Sequence, residues 1–264
     1  MQKFRIAHLT DTHILRDYRN SHLEKIGLRI YPDSYFKIAL QELSLEKPDL
    51  LLITGDLIHE GDIEDYRYMI RLIDSYLPDI PLFLCPGNHD PKEIFMQTFN
   101  GRFSDHYVGD FNGYRIVSID TSIEGSPNAY INPDHISWLK EVLKKPSKNG
   151  TILIGHHPLE FDQAWFRSDF GSRFWQILDD SDVFAYFCGH SHFGEVRRVH
   201  NFLQICGESF AFGVETWGDR VVYTESRGYN CCILRGREVL THASQLFSSP
   251  RLVKEFDDIA SSVK

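Results

Sequence analysis

Five short stretches of this 264-residue chain place oxygen and imidazole ligands straight after apolar runs. They are Asp11-Thr12-His13, Gly55-Asp56, Gly87-Asn88-His89-Asp90, Gly155-His156-His157 and Gly189-His190-Ser191-His192. Taken singly, a D-x-H pair or a Gly-Asn-His-Asp turn reads as an ordinary polar turn. Jointly they are more specific, because six of the thirteen histidines lie in these five stretches. Asp11, His13, Asp56, Asn88, His156, His190 and His192 make seven candidate metal ligands, all carboxylate, amide or imidazole. Seven are too many for one catalytic ion with open positions, but they suit two ions if one carboxylate bridges them. With no thiolate in the set, manganese, iron, zinc or a mixed pair are all compatible. His89 offers an acid or base near neutral pH.

The elements that must position these groups are legible as apolar runs. Strands are expected at residues 4–9, 49–54, 81–85, 114–120, 151–154 and 183–188, and five of the six end in one of the motifs. Helices are expected from Ser34 as cap to about Glu46, and over 63–76, 92–99 and 133–143, with Pro133 in a first turn. Alternating strands and helices imply a largely parallel sheet with crossover helices, whose carboxyl strand ends share one ligand-binding edge. Beyond residue 190 the pattern is strand-like, at 195–199, 202–206, 221–224, 229–234 and 238–241. Leu252, Phe256, Ile259 and Val263 recur at helical spacing, which predicts a C-terminal amphipathic helix within about 243–264. No repeat or linker divides the chain, so residues 1–264 are expected to form a single domain.

Composition narrows the function. A net charge of −9 and a pI near 5.8 argue against general nucleic-acid binding. No apolar run is long enough for a membrane span, and no secretory leader is legible. Five cysteines without a CxxC pair fit buried thiols in a cytoplasmic protein. His8 lies inside a strand, and His59, His106, His135, His200 and His242 have no partner in the sequence, so all six read as structural.

The ordered set D-x-H, G-D, G-N-H-D, G-H-H and G-H-x-H resembles that of the calcineurin-like metallophosphoesterase superfamily, and it spans residues 11–192. The resemblance implies an α/β fold, a four-layer αββα sandwich with mixed β-sheets. It implies one ion held by Asp11, His13, Asp56 and His192, and a second by Asp56, Asn88, His156 and His190. His89 would then be a catalytic proton donor outside the ligand set, with Asp90 orienting it. Within the superfamily the chain is most similar to class III cyclic-nucleotide phosphodiesterases, so a small phosphodiester is the expected substrate. Two cations roughly 3.5–4 Å apart lower the pKa of a bridging water, whose hydroxide attacks phosphorus. A phosphomonoesterase and a lipid-headgroup or nucleotide phosphohydrolase are the enzymatic rivals. A non-catalytic metal-site scaffold binding a protein partner is the rival from another class, although it expects a lost ligand and none is missing. The oligomeric state is open, a homodimer included. Two aromatic clusters bear on the substrate: Phe161, Trp165, Phe166, Phe170, Phe174 and Trp175, and Phe210, Phe212, Trp217 and Tyr223. Residues 166, 170 and 174 read as a buried helix face, whereas Trp165 and Trp217 are free to stack on a base.

Overall fold

The computed structural model describes residues 3–162, 168–217, 220–247 and 252–256. In chain order the elements are β1 (Phe4–Leu9), α1 (His22–Lys25), α2 (Pro32–Glu46), β2 (Leu50–Thr54), α3 (Ile63–Tyr76), β3 (Leu82–Cys85) and α4 (Lys92–Phe99). Then come β4 (Tyr107–Phe111), β5 (Tyr114–Ser118), β6 (Ser122–Ile123), β7 (Ser126–Ala129), α5 (Pro133–Leu143), β8 (Thr151–Ile154), α6 (Gly171–Asp179) and β9 (Val183–Cys188). The chain continues through β10 (Glu195–Val199), β11 (Phe202–Cys206), β12 (Gly213–Trp217), β13 (Arg220–Thr224), β14 (Gly228–Arg235), β15 (Glu238–Leu246) and β16 (Leu252–Phe256).

Two mixed sheets carry the molecule. The first runs β15-β14-β1-β2-β3, with β1, β2 and β3 parallel. The second runs β10-β11-β9-β8-β5-β4, with β5, β8, β9 and β11 parallel. Strand alternation sorts the side chains into three apolar layers. Leu50 and Leu52 of β2 meet Ile152, Ile154, Phe184 and Phe187 of the second sheet, filling the space between the sheets. Leu51 and Ile53, pointing the other way, pack under Phe36 and Leu40 of α2 and Met69 and Ile73 of α3. Leu153 and Tyr186 do the same beneath Leu139 of α5 and Phe174 of α6. Strands buried on both faces read as unbroken apolar runs, which is why they were legible. The result is the expected four-layer αββα sandwich.

The differences have local causes. Helix α2 starts before Ser34, because Pro32 takes a first-turn position after Tyr31. The expected C-terminal helix is not found where the chain is described. Residues 243–246 continue β15, and β16 pairs antiparallel with β13, which otherwise offers a free edge. Val253 packs inward beside Val221 and Tyr223. The four-residue step from Leu252 to Phe256 fits strand and helix alike, and the open edge decides. Residues 248–251 and 257–264 lie outside the described residues. Phe170 caps α6 instead of lying within it. Trp165 and Phe166 are outside the described residues. No helix among the described residues is long and apolar enough to cross a membrane.

Candidate metal centre

The loops leaving β1 and β2 are zipped together by backbone hydrogen bonds. Asp11 N donates to Gly55 O at 3.1 Å, and His13 N donates to Asp56 O at 2.8 Å. The loop after β9 closes over them from the second sheet, where His190 N donates to both Asp11 carboxylate oxygens at 3.2 and 3.0 Å. Asp11, His13, Asp56, Asn88, His156, His190 and His192 are all buried. Asp11, His13, Asp56 and His192 converge so that one ligand atom from each lies within 4.8 Å of the others. His192 Nε2 is 3.2 Å from Asp11 Oδ1. Asp56 Oδ2 faces imidazoles from both sheets, His13 Nε2 at 3.5 Å and His156 Nε2 at 3.3 Å. The His156 and His190 rings stand 5.1 Å apart. Asn88 sits in the turn after β3, whose next residue, His89, donates its N–H to Asp56 Oδ1 at 2.8 Å.

The backbone is bent to make this possible. Asp11, His13, Asp56, His190 and His192 all have positive φ, between 43° and 68°. That conformation costs a non-glycine residue about 1–2 kcal/mol and concentrates at functional sites. Two motif glycines are required by close approach. A Cβ on Gly87 would overlap the Asp56 carboxylate, and one on Gly189 would overlap the Thr10 hydroxyl and the Asp11 carboxylate. Gly189→Ala is therefore expected to push Asp11 off its position, lowering metal content and activity on the order of 10²-fold. Elemental analysis and turnover of the purified variant check this; wild-type values in both would show that the contact is not needed.

The donor set suits cations. Two buried carboxylates demand opposite charge nearby. His13 Nε2, His156 Nε2 and Asn88 Oδ1 are buried with no hydrogen-bond partner among the described residues. The outer nitrogens are held instead: His156 Nδ1 donates to Thr54 O at 2.9 Å and His192 Nδ1 to Phe212 O at 2.7 Å, which leaves each Nε2 lone pair facing inward. Burial keeps His13 and His190 well below the usual imidazole range, hence neutral and able to ligate. Burial would lower His156 too, but the Asp56 and Asp11 carboxylates outweigh it and raise it to about 10. A dication competes with that proton, so metal affinity rises with pH.

His89 stands apart from the seven. Its side chain is 30% exposed, and its Nδ1 lies 3.1 Å from Glu60 Oε1. Asp90 does not orient it, contrary to expectation. Both Asp90 oxygens are taken by the N–H groups of Leu57, Ile58 and Gly87 and by the Tyr66 hydroxyl, so Asp90 locks the Asn88 turn against the Asp56 loop. Glu60 and His59 are the residues the sequence reading passed over. His59 Nδ1 meets His13 Nδ1 at 2.9 Å, and its ring stacks on His89 at 4.6 Å. The only available signal was a polar pair three and four residues after Asp56. His157 is buried against Thr121. Arg16, in the segment between β1 and α1, is engaged by Asp62 and Asp65. Of the aromatic clusters, Phe170, Phe174 and Phe210 are core, and Phe212 is buried against His192. Trp217 is exposed, its Nε1–H donating to Glu215.

The family model described as calcineurin-like phosphoesterase matches residues 4–194. A "Probable cyclic nucleotide phosphodiesterase" of Rhodococcus erythropolis is 28% identical over 198 residues, 71% of this chain and 64% of that relative. The "Glycerophosphodiester phosphodiesterase GpdQ" of Enterobacter lignolyticus is 25% identical over 201 residues, 71% of this chain and 70% of its own length. The chain thus spans under two thirds of the Rhodococcus relative. The purple acid phosphatase PPD1 of yellow lupin shares the fold, with a TM-score of 0.68 at 14% identity, over 97% of this chain and 53% of that one.

Proposed function

This chain belongs to the calcineurin-like phosphoesterase family, and from that membership we propose that it is a two-metal phosphodiesterase acting on a small phosphodiester, with a cyclic nucleotide as the best candidate. The observation that carries this reading is the position of Asp56 Oδ2 between His13 and His156, one carboxylate oxygen at the junction of two ligand groups. Asp11, His13, Asp56 and His192 would hold one ion, and Asp56, Asn88, His156 and His190 the other. Such ions, when bound, supply Lewis-acid polarisation of a phosphate oxygen and a nucleophilic water at neutral pH. The absence of a thiolate leaves manganese, iron and zinc as candidates. His89 donates a proton to the leaving oxygen, and Glu60 holds its ring in place. All five cysteines are free, which suits a cytoplasmic location.

The diester preference is supported by both named relatives, a cyclic-nucleotide and a glycerophosphodiester enzyme. Among the described residues of the two aromatic clusters, Trp217 is an exposed ring that a base could stack on, a contact worth roughly 1–3 kcal/mol per base. The test is kcat/KM for cyclic AMP, a glycerophosphodiester and p-nitrophenyl phosphate under one metal condition. Cyclic AMP is expected to lead. A lead for the monoester would overturn the diesterase reading, and a lead for the glycerophosphodiester would move the substrate while keeping the chemistry. An unaltered cyclic AMP KM in Trp217→Ala would remove the stacking contact.

A further inference from the structure

His106 and His135, which no sequence motif accounts for, are brought together with Asp105. Asp105 and His106 lie on the loop between α4 and β4, and His135 is in the first turn of α5. The Asp105 carboxylate bridges one nitrogen of each ring, with Oδ1 2.8 Å from His106 Nδ1 and Oδ2 3.3 Å from His135 Nε2. The rings are 4.0 Å apart, and one ligand atom from each of the three residues lies within 4.8 Å of the others. The edge of Trp138, one turn along α5, backs the His106 ring at 4.7 Å.

We propose that Asp105, His106 and His135 bind a further divalent cation of the zinc class, separate from the central pair. Two neutral imidazoles and one carboxylate form a ligand set that such an ion accepts, with water completing a tetrahedron. Bonds of about 2.0–2.1 Å imply ligand atoms about 3.3 Å apart, which the His135–Asp105 contact of 3.3 Å matches and the His106–Asp105 contact of 2.8 Å falls short of. The site is reachable: His106 and Asp105 side chains are 30% and 37% exposed, whereas His135 is 12% exposed. Asp105 can accept a hydrogen bond from each ring, and a dication would take the place of the protons on those two nitrogens. An ion here fastens the loop after α4, a helix of the first outer layer, to α5, a helix of the second, at the β4 edge of the second sheet. Its work is structural, since none of the three residues belongs to the central site.

Zinc titration of the metal-stripped full-length protein, followed by elemental analysis after gel filtration, tests this. His106→Ala/His135→Ala should bind one equivalent fewer than wild type and lose part of the zinc-induced rise in Tm, with phosphodiester turnover at saturating metal unchanged. His135→Gln, which retains an N–H for Asp105, guards against simple misfolding and should show the same deficit. Asp56→Asn separates this site from the central one: one tight equivalent should remain there, whatever reaction the centre performs. Equal zinc content in wild type and both His135 variants would overturn the assignment, as would an Asp56→Asn protein that holds none.

Discussion

Asp56→Ala is expected to lose both central metal ions and to reduce phosphodiesterase activity to background. Asp56 is the carboxylate set more closely between the two groups: Oδ2 lies 3.5 Å from His13 Nε2 and 3.3 Å from His156 Nε2, while Oδ1 anchors the Asn88 turn through the His89 N–H, whereas Asp11 Oδ1 is 3.9 Å from His156 Nε2. Removing it leaves His156 without the carboxylate that most raises its pKa. It also deprives each ion of a negative ligand inside a buried site, where the remaining ligands are too nearly neutral to offset dehydration. Because Asp56 has a φ of 50°, alanine adds backbone strain that asparagine does not. Asp56→Asn separates charge from strain and should lose the ions equally. Elemental analysis decides, allowing for the one equivalent assigned to Asp105, His106 and His135. Wild-type metal content in either variant would mean that Asp56 is not shared.

His89→Ala should behave in the opposite way, keeping its metals and losing roughly 10²–10⁴-fold in turnover, the usual worth of a positioned proton donor. The ring lies outside the seven buried ligands and is part-exposed, where a leaving group can reach it. Burial lowers its pKa, but the Asp56 and Glu60 carboxylates outweigh burial and raise it, so the ring is protonated below that raised value. A reaction that needs the protonated ring slows as pH rises through it. That alkaline limb should disappear in His89→Ala and move to lower pH in Glu60→Gln, which removes a charge without touching the metals. Metal loss in His89→Ala would make the residue a ligand. An unchanged alkaline limb would assign it to another group.

The candidate site was legible because each ligand follows an apolar run long enough to name a buried strand. β1, β8 and β9, and helices α3, α4 and α5, begin and end where periodicity and capping residues predict. What failed was information held by partners distant in sequence. β4 and β12 were missed because polar residues and glycine interrupt their alternation, Gly109-Asp110 in β4 and Glu215-Thr216 in β12, and each is a strand by virtue of pairing. β16 resembled a helix for the same reason in reverse. Adjacency in sequence pairs Asp90 with His89, yet three backbone donors and the Tyr66 hydroxyl saturate Asp90, and it is Glu60 that meets the His89 ring. Asp105 and His135 are separated by two hairpins, β4-β5 and β6-β7, so their juxtaposition is created by the fold at the sandwich edge.

The most direct test of the central claim is the hydrolysis of cyclic AMP by protein stripped of metal and then reconstituted with manganese, iron or zinc in turn. Metal content is measured on the same samples. The two-metal reading predicts no turnover in the stripped protein and restored turnover with at least one of these metals. Full phosphodiesterase activity in protein shown to hold no metal would contradict it.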